Sequence, residues 1–451
     1  STLDRASAAS DVYKRQFVIG RRYLGVWPGL IAPALMAFSV HSIQIAHFFA
    51  VDTFATFFAT LTIWFMCRYA DLRLPRDLGL AGIATGLALA SKLSAGLLLV
   101  LFAAWWIHAG ARDGVFWGGR TSRSLWALLL IVYVVFASLA FRIFQPYAFA
   151  TGSVLDWRVS PDFLSALVQQ QGIQAGSVDW PPGIQWAATG AWIYPLEQML
   201  RWGLGPIFGV VAFGSVALAV GRWWRTGRHE LAIPLIWAAI NVVIFGALVL
   251  KTMRYFHPIY PVLALVTAWA LASLWRRQYF SGNRYRRYTQ RLWQVATFVV
   301  IAGAAFWALA FVQIYGREHS RVAASRFVYD HVAPGASIAV EHWDDALPLN
   351  VSGRGRDQYV IRELRVFDHD TDAKRRHFVE VLTNSDYVIL SSRRGSRSIP
   401  RLPQRYPMTA KYYAALSDGS LGFDEVARFD SFPSLGPVSY THLTLPTSDL
   451  V

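Results

Sequence analysis

The stretch "GLAGIATGLALASKLSAGLLLVLFAAWWIHA" (residues 79–109) is too long for one ordinary membrane helix, and Lys92 interrupts its apolar run. At 1.5 Å per residue a continuous helix would be about 46 Å long, whereas the hydrocarbon core of a bilayer is about 30 Å thick. Two helices of about 15 residues would each be short for a crossing. The choice between one crossing and a hairpin decides on which side of the membrane every later segment lies.

The composition as a whole is that of a membrane protein. Of the 451 residues, 54% are hydrophobic and only 16% are charged, whereas a soluble domain carries roughly 25% charged residues. The single cysteine, Cys67, excludes an internal disulfide framework. Other apolar segments lie near residues 24–44, 54–70, 124–143, 203–221, 231–250, 257–275 and 292–312. The chain is therefore predicted to cross the lipid bilayer several times.

The arginines between these segments resolve the ambiguity. They cluster at residues 21–22, 68–76, 112–123, 222–228 and 276–291. Short loops rich in Lys and Arg stay in the cytoplasm, so all these clusters are expected on one side. A hairpin with its tip near residues 89–96 satisfies this condition, and a single crossing does not. We therefore predict about nine membrane segments, including this short hairpin, and interpret the basic loop 276–291 as a topology signal and not as a nucleic-acid site.

The sequence becomes polar after residue 312. A helical pattern, "RVAASRFVYDHV", precedes the strand-like "ASIAVEHW", and "KRRHFVEVLTNS" followed by "DYVILSS" repeats this order. Alternating units of this kind indicate a small α/β domain. The predicted fold is a mainly α, polytopic protein of the plasma membrane. Its membrane domain spans residues 17–312 with an external loop at 145–200, and an extracytoplasmic α/β domain follows at 313–437.

Both ends of the chain differ in character from the rest. The heptapeptide "SDVYKRQ" (residues 10–16) and the tail "VSYTHLTLPTSDLV" (residues 438–451) resemble translated sequencing-adapter read-through. We expect residues 1–16 to be a non-native leader and residues 438–451 to be a non-native tail.

Two lysines break the charge pattern of the membrane domain. Only five of the 43 basic residues are lysines, and Lys92 and Lys251 are the two in the membrane region after the leader. Both fall on the predicted outer side, against the bias that the arginines follow. With Arg254 in "KTMRYFHPIYP" (residues 251–261) they could hold a lipid phosphate, since Lys and Arg are the phosphate-binding side chains. The alternative is that they reach toward ordinary lipid head groups.

An acidic residue and three histidines lie near the same predicted surface. Asp52 in "HFFAVDTFATFF" begins a membrane segment, where a carboxylate is either functional or a helix N-cap. His41 and His47 could join Asp52 in a divalent-metal site, and His257 could be a metal ligand. Ordinary interfacial histidines are the alternative, so a metal cofactor is left open.

The external loop is rich in aromatic residues. Trp180, Trp186, Trp192 and Tyr194 lie within residues 179–205. Aromatic rings can stack on sugar faces, and they are also standard anchors at the membrane interface. The other candidate acids of this loop, among which the spacing selects none, are Asp156, Asp179 and Glu197.

In their order over residues 17–437, these stretches resemble the polyprenyl-phosphate-sugar-dependent glycosyltransferases of the GT-C fold, which include protein O-mannosyltransferases and lipid A aminoarabinose transferases. The membrane stretches that carry the resemblance are "HFFAVDTFATFF", "GLALASKLSAGLLL", "FQPYAF", "WPPGIQWA" with "YPLEQMLRWGLG", and "KTMRYFHPIYP". The later "AASRFVYDHVAPGASIAVEHWDDALPL", "DYVILSS" and "FPSLGP" resemble a bacterial subgroup.

The resemblance implies an inverting transfer of a hexosyl or mannosyl-like sugar from a polyprenyl phosphate to an acceptor hydroxyl outside the cytoplasm. It implies that Lys92, Lys251 and Arg254 bind the donor phosphate and that Asp52 is a secondary active-site carboxylate. It also suggests sugar- or acceptor-binding roles for Trp180, Trp186, Tyr194 and His257. The family's first helix and principal catalytic Asp should precede residue 17, so we expect this chain to be an inactive fragment.

Two other classes of protein remain alternatives. One is a transporter or flippase for a lipid-linked substrate, and the other is a non-enzymatic assembly subunit with a sensing external domain. Transporters typically contain internal repeats and broken helices near the middle of the membrane. No strong repeat is visible and the unusual charges cluster at one face, which favours the enzyme. The sequence does not specify the sugar or whether the acceptor is a protein, a lipid or a glycan.

Overall fold

The computed structural model describes residues 14, 16–22, 25–115, 122–227, 231–277, 283–435 and 438–439. These residues divide into two compact units. The helical unit comprises the described residues among 1–170 and 191–308, and the α/β unit comprises those among 171–190 and 309–451. Most of the predicted leader and tail, and part of the basic loop 276–291, lie outside the described residues.

The helical unit is built from helices of unequal length. They are α1 (Val26–Ala37), α2 (Val40–His47), α3 (Val51–Leu72), α4 (Pro75–Ser91), α5 (Leu97–Arg112), α6 (Arg123–Phe144), α7 (Pro161–Ala175), α8 (Ile193–Gln198), α9 (Pro206–Thr226), α10 (Ala232–Ala247), α11 (Tyr260–Arg277) and α12 (Asn283–Val312). The last residues of α7 and α12 belong to the α/β unit. The unit's core is a continuous apolar cluster in which α11 is buried along most of its described length.

The long apolar stretch 79–109 is two helices. Lys92 has extended backbone angles (φ −157°, ψ 122°) and ends α4, and a 3₁₀ turn at Leu93–Gly96 leads into α5. Ion pairs show how the helices run. Lys92 contacts the beginning of α3 at Asp52, whereas Arg73, at the end of α3, contacts Asp113 just after α5. Helix α4 therefore runs towards the beginning of α3, and α5 runs back towards the end of α3, as the predicted hairpin near residues 89–96 requires.

Fewer helices than predicted meet the criteria for a membrane span. Among the described residues, five are long and apolar enough, at Leu93–Arg112, Arg123–Phe144, Pro206–Thr226, Met253–Ser273 and Gln290–His331. A pair bent by 57° (Gly29–Ala37 with Val40–His47) makes a sixth if it is one span. The other three predicted segments are α3, which includes three charged residues, and the shorter α4 and α10, of 17 and 16 residues.

Helices α4 and α6 approach each other unusually closely. A Cβ atom added at Gly82 would lie 2.4 Å from the carbonyl oxygen of Tyr133, and one at Gly86 only 2.3 Å from that of Ala137. The two glycines are four residues apart, which is the small-residue spacing that lets membrane helices make backbone contact. Thr85 lies between them, and its hydroxyl is 2.9 Å from that of Tyr133. Glycine is therefore required at Gly82 and Gly86.

The α/β unit contains a small parallel sheet. Its main elements are α13 (Ser320–His331), β1 (Ser337–Glu341), β2 (Val360–Leu364), α14 (Asp372–Thr383), β3 (Tyr387–Ile389), α15 (Arg394–Ser398) and α16 (Pro407–Ser417), and a two-stranded ladder joins β4 (Ser434–Leu435) to β5 (Val438–Ser439). The sheet order is β2-β1-β3, with Ile338 of β1 beside Ile361 and Tyr387. All of β1 is buried, as expected for the central strand of a parallel sheet.

Residues 171–190, which the sequence analysis assigned to a loop of the membrane domain, are part of the α/β unit. Ile184 is buried in one of that unit's cores together with Ile399 and Tyr406. Asp179 forms an ion pair of 2.5 Å with Arg405. Apolar burial and this ion pair therefore attach the middle of the predicted loop 145–200 to the second unit.

A buried carboxyl group ends the central strand. The side chain of Glu341 is enclosed, and one of its oxygens accepts a hydrogen bond of 2.7 Å from the hydroxyl of Tyr413. Burial raises the pKa of Glu341 to about 7, because a charged carboxylate is poorly solvated there. The group is therefore substantially protonated at neutral pH.

The close contact of α4 with α6 predicts opposite effects of one substitution at two glycines. Gly86→Ala should lower the thermal unfolding temperature of the purified protein, because the new methyl group meets the backbone of α6. Gly214→Ala in α9 should leave that temperature unchanged or raise it, since nothing lies within 4 Å of the added Cβ and alanine is the better helix former. Equal effects at both positions would contradict the described packing.

The buried Glu341 predicts a pH-dependent stability difference. A carboxyl group whose pKa is raised on folding stabilises the fold below its unfolded pKa, and this contribution, roughly 3 kcal/mol, is lost as the pH rises toward 7. Glu341→Gln should therefore match the parent protein at pH 4 and unfold at a higher temperature at pH 8. Thermal unfolding at both pH values checks this, and a variant less stable than the parent at pH 8 would contradict it.

Candidate functional site

Three segments of the helical unit bring charged side chains to one place. Asp52 is the second residue of α3, and Lys92 lies in the break between α4 and α5. Arg254 lies in the 3₁₀ helix Met253–Ile259, which precedes α11. The N-cap of that 3₁₀ helix is Thr252, whose hydroxyl accepts a hydrogen bond of 3.4 Å from the backbone N–H of Arg254. All three charged residues are therefore at helix ends, where the backbone can turn them toward a common centre.

The common centre is the carboxylate of Asp52. The Lys92 ammonium donates to its Oδ1 at 2.5 Å, and Arg254 donates to its Oδ2 from Nε at 3.1 Å and from Nη2 at 2.8 Å. The Asp52 side chain is 1% exposed, whereas those of Lys92 and Arg254 are 19% and 34% exposed. Two cations on one carboxylate leave one positive charge in excess. The two cationic side chains are partly exposed, whereas the carboxylate is buried.

This geometry restricts what Asp52 can do. Both of its oxygens are engaged in short, charge-assisted hydrogen bonds, which are about twice as strong as neutral ones. Breaking such a buried pair from one side costs about 3–5 kcal/mol because an uncompensated charge remains. Asp52 is therefore suited to hold Lys92 and Arg254 in fixed positions.

Lys251 is placed differently from the other two predicted cations. It is only 7% exposed, and its ammonium donates a long hydrogen bond of 3.4 Å to the carbonyl of Val249. Among the described residues no carboxylate forms an ion pair with it. The predicted set of Lys92, Lys251 and Arg254 thus divides into a pair that shares Asp52 and one largely buried lysine without a counter-charge.

The structure adds an aromatic residue to the site that the sequence analysis did not single out. The Lys92 ammonium lies 4.7 Å from the centre of the Tyr255 ring, and that ring stacks on Phe245 of α10 with centres 5.2 Å apart. Tyr255 follows Arg254 directly in the chain. Its position next to Arg254 was the sequence signal that could have identified Tyr255. The sequence alone cannot reveal which lysine the ring faces.

The predicted metal ligands do not form a metal site. His41 and His257 are buried edge to face, with ring centres 5.2 Å apart, and both pack against Tyr260. His47 instead hydrogen-bonds the carbonyl of Ile43 at 2.8 Å. Within the part of the chain that the structure describes, no three His, Cys, Asp or Glu side chains are grouped so that they could hold a metal ion. The suggested combination of His41, His47 and Asp52 therefore has no geometric support.

The predicted sugar-binding aromatics belong to two different units. Trp180 and Trp186 are in the α/β unit, where Trp186 is buried, and Tyr194 is in the helical unit. Trp192 is also in the helical unit and donates a hydrogen bond of 3.1 Å from its ring to the carbonyl of Val243. The roles of these residues in sugar or acceptor binding remain predictions.

The other candidate acids are each engaged by an arginine. Asp156 forms a two-pronged ion pair with Arg158, and hydrogen bonds from that arginine hold the pKa of Asp156 below its usual value. The hydrogen bond from Arg405 likewise lowers the pKa of Asp179. The third acid, Glu197, pairs at 2.9 Å with Arg201, four residues away. None of the three carboxylates stands without a cationic partner.

The shared carboxylate predicts strong energetic coupling between Asp52 and Lys92. In a double-mutant cycle with Asp52→Asn and Lys92→Met, the two changes should be non-additive by about 1–3 kcal/mol, because each single change strands a partner in a poorly solvated place. Unfolding of the purified variants by denaturant measures this coupling. The pair Asp156–Arg158 is the control: its arginine is largely exposed, so its cycle should be close to additive. Additivity at both pairs would contradict the described site.

Part of the chain matches a known protein family. Residues 17–141, which include Asp52 and Lys92, match the family described as dolichyl-phosphate-mannose-protein mannosyltransferase. No protein of curated function matches the sequence significantly.

Several solved structures are similar to this chain. The apo oligosaccharyltransferase of Archaeoglobus fulgidus is 12% identical, with a TM-score of 0.52, over 76% of this chain and 51% of that one. This chain thus spans about half the length of that enzyme. ArnT from Cupriavidus metallidurans bound to undecaprenyl phosphate is 15% identical, with a TM-score of 0.48, over 95% of this chain and 82% of that one. The apo ArnT structure gives 14% identity and 0.46 over 92% and 76%. The similarity to the oligosaccharyltransferase shows that the chain has the GT-C fold, and its residues 17–141 match the protein mannosyltransferase family.

Proposed function

We propose that the chain is a membrane glycosyltransferase that takes a sugar from a polyprenyl-phosphate carrier and transfers it to an acceptor hydroxyl. The observation that carries this proposal is the excess of positive charge at the end of α4. Lys92 and Arg254 share a single carboxylate, and Lys251, three residues before Arg254, forms no ion pair with a carboxylate of the described residues. Buried charge without compensation is unfavourable, so the arrangement favours the binding of an anion.

The charge of the cluster suits a phosphate monoester. Lys92, Arg254 and the Asp52 carboxylate leave one positive charge in excess, and Lys251, three residues before Arg254, adds a further cation to the same segment. A phosphate monoester carries about −1.5 to −2 charges at neutral pH. The family description for residues 17–141 names dolichyl-phosphate mannose, a donor whose leaving group is such a lipid phosphate. Polyprenyl phosphate is therefore the donor class that we propose, with a hexose such as mannose as the transferred sugar.

The proposed reaction is an inverting transfer. The oxygen of the acceptor hydroxyl forms a bond to the anomeric carbon on the face opposite the phosphate. The bond from that carbon to the phosphate oxygen breaks, and its electron pair leaves with the lipid phosphate. The hydroxyl proton passes to a general base on the acceptor side. Lys92, Lys251 and Arg254 stabilise the charge that develops on the phosphate, and preorganised charges of this kind are among the strongest contributions to catalysis.

We propose that Asp52 positions the cations and does not accept the proton. A general base needs a free lone pair directed at the acceptor, whereas both Asp52 oxygens point at cations. The sequence-based role of a secondary active-site carboxylate is retained in this form: Asp52 holds Lys92 and Arg254 together in positions from which both contact the phosphate.

The orientation follows from the charges at the two ends of the helices. Arg22, Arg68 and Arg73 form ion pairs at the ends of α3–α5 that are opposite to Asp52. Because basic loops stay in the cytoplasm, we propose that the Asp52 site faces the outer side of the plasma membrane. A lipid-linked donor in the outer leaflet would reach it there, and the α/β unit would be extracytoplasmic.

A transporter or flippase for a lipid-linked substrate is the second candidate. The bend of 57° between α1 and α2 favours it, because broken helices are typical of transporter binding sites. The two functions differ in one bond: the enzyme breaks the bond between sugar and phosphate, and the transporter moves the donor intact.

A turnover assay separates the two candidates. Purified protein in nanodiscs is incubated with undecaprenyl-phosphate mannose labelled in the sugar and with a membrane extract as the source of acceptors. The enzyme should transfer label to the acceptor fraction and release undecaprenyl phosphate in equal amount. Movement of intact donor between the leaflets of proteoliposomes, without any released undecaprenyl phosphate, would support the transporter and overturn the enzyme.

Binding of the bare lipid phosphate tests the proposed cations without knowledge of the sugar. The parent protein should bind undecaprenyl phosphate more tightly than neutral undecaprenol, as measured by native mass spectrometry. Lys251→Ala and Arg254→Ala should each reduce this preference about tenfold or more, since each removes a charge-assisted contact to phosphate. Arg158→Ala, an exposed arginine outside the cluster, is the matched control. An unchanged preference in both cluster variants would remove the phosphate role.

A further inference from the structure

Lys92 is held from two sides by groups of different kinds. Asp52 binds its ammonium through Oδ1, and the face of Tyr255 lies 4.7 Å from the same nitrogen. A cation within about 6 Å of an aromatic ring centre is attracted to the negative face of the ring, by about 0.5–2 kcal/mol. The second contact therefore restrains the end of a flexible side chain that one ion pair alone would leave free to pivot.

The ring itself is fixed by its neighbours. It stacks on Phe245 of α10, with the ring planes inclined by 15°, and Phe245 is buried in the core of the helical unit. Tyr255 also belongs to the 3₁₀ helix that carries Arg254. One short segment thus supplies the second cation of the cluster and the ring that restrains the first.

An aromatic ring has one advantage over a second carboxylate at this position. A carboxylate would restrain Lys92 equally well but would cancel the excess positive charge of the cluster. The ring has no net charge, so it restrains the ammonium and leaves the charge available to an anion. We propose that Tyr255 is a positioning residue that aims Lys92 at the phosphate of the lipid donor, through its ring and not through its hydroxyl group.

This inference rests on the proposed function, and the experiment separates the two. The readout is the ratio of affinities for undecaprenyl phosphate and undecaprenol, measured by native mass spectrometry on the full chain in nanodiscs. A purely structural role of Tyr255 would change both affinities together and leave the ratio constant. Lys92→Ala is the reference, because it shows how much of the ratio depends on this cation. Tyr147→Leu is the matched control, since this tyrosine is 85% exposed and outside the cluster.

Tyr255→Leu removes the ring and should lower the phosphate preference about fivefold to tenfold, as expected for the loss of one cation–π contact. Tyr255→Phe keeps the ring and should retain most of the preference. An unchanged ratio in Tyr255→Leu would overturn the proposal, and so would an equal loss in both variants, because that result would assign the effect to the hydroxyl group. An unchanged ratio in Lys92→Ala would instead remove the phosphate role of Lys92, and the proposed positioning with it.

A second variant covers the case in which Tyr255→Leu does not fold. Phe245→Leu leaves Tyr255 and Lys92 in place and removes the ring that supports Tyr255 from behind. It should lower the phosphate preference in the same direction by a smaller factor. A ratio equal to that of the parent protein would contradict the proposed positioning.

Discussion

The helical unit depends on the attachment of two cations to one buried carboxylate. In the interior of a protein an isolated charge is strongly unfavourable, so Asp52 is tolerated only because Lys92 and Arg254 occupy its two oxygens. The three residues come from helix ends that are far apart in the chain. Their ion pairs therefore fix the relation of α3, the break after α4 and the segment before α11, and they also create the excess positive charge on which the proposed function is based.

This cluster explains why α4 and α5 are two helices. A continuous helix would carry the residues after Lys92 beyond the beginning of α3, where Asp52 lies, instead of returning them along α5. Ending α4 at Ser91 and turning through Leu93–Gly96 keeps the ammonium beside the carboxylate. The close packing of α4 on α6 through Gly82 and Gly86 then holds the end of α4 in place. Backbone packing and charge pairing thus both stabilise the break between α4 and α5.

Sequence reasoning predicted the parts of this architecture that depend on chain length and on charge. The hairpin followed from the length of residues 79–109 and the sidedness of the arginines. Lys92 and Lys251 were singled out because they lie against that bias, and Arg254 was added as a neighbour of Lys251. The pairing of both cations with Asp52 was not predicted, because a carboxylate can be a helix cap or a base until its partners are known. The predicted number of about nine membrane segments is not confirmed, because among the described residues α3 carries three charged residues and α4 and α10 are shorter than 18 residues.

Other features depend on contacts that no local pattern reveals. Residues 171–190 join the α/β unit through the burial of Ile184, although their own sequence is that of an ordinary aromatic loop. Tyr255 acquires its significance from Lys92, more than 160 residues earlier in the chain. Single aromatic residues are too common in this protein, with 19 tryptophans and 19 tyrosines, for sequence to distinguish one cation-binding ring.

The most direct test of the central claim is a cryo-EM structure of the full chain in nanodiscs with undecaprenyl phosphate. We expect the phosphate within about 4 Å of the Lys92 ammonium and the Arg254 guanidinium, which is ion-pair distance, with Asp52 still bound to both. A lipid phosphate bound elsewhere in the helical unit, with Lys92 and Arg254 contacting only Asp52, would contradict it.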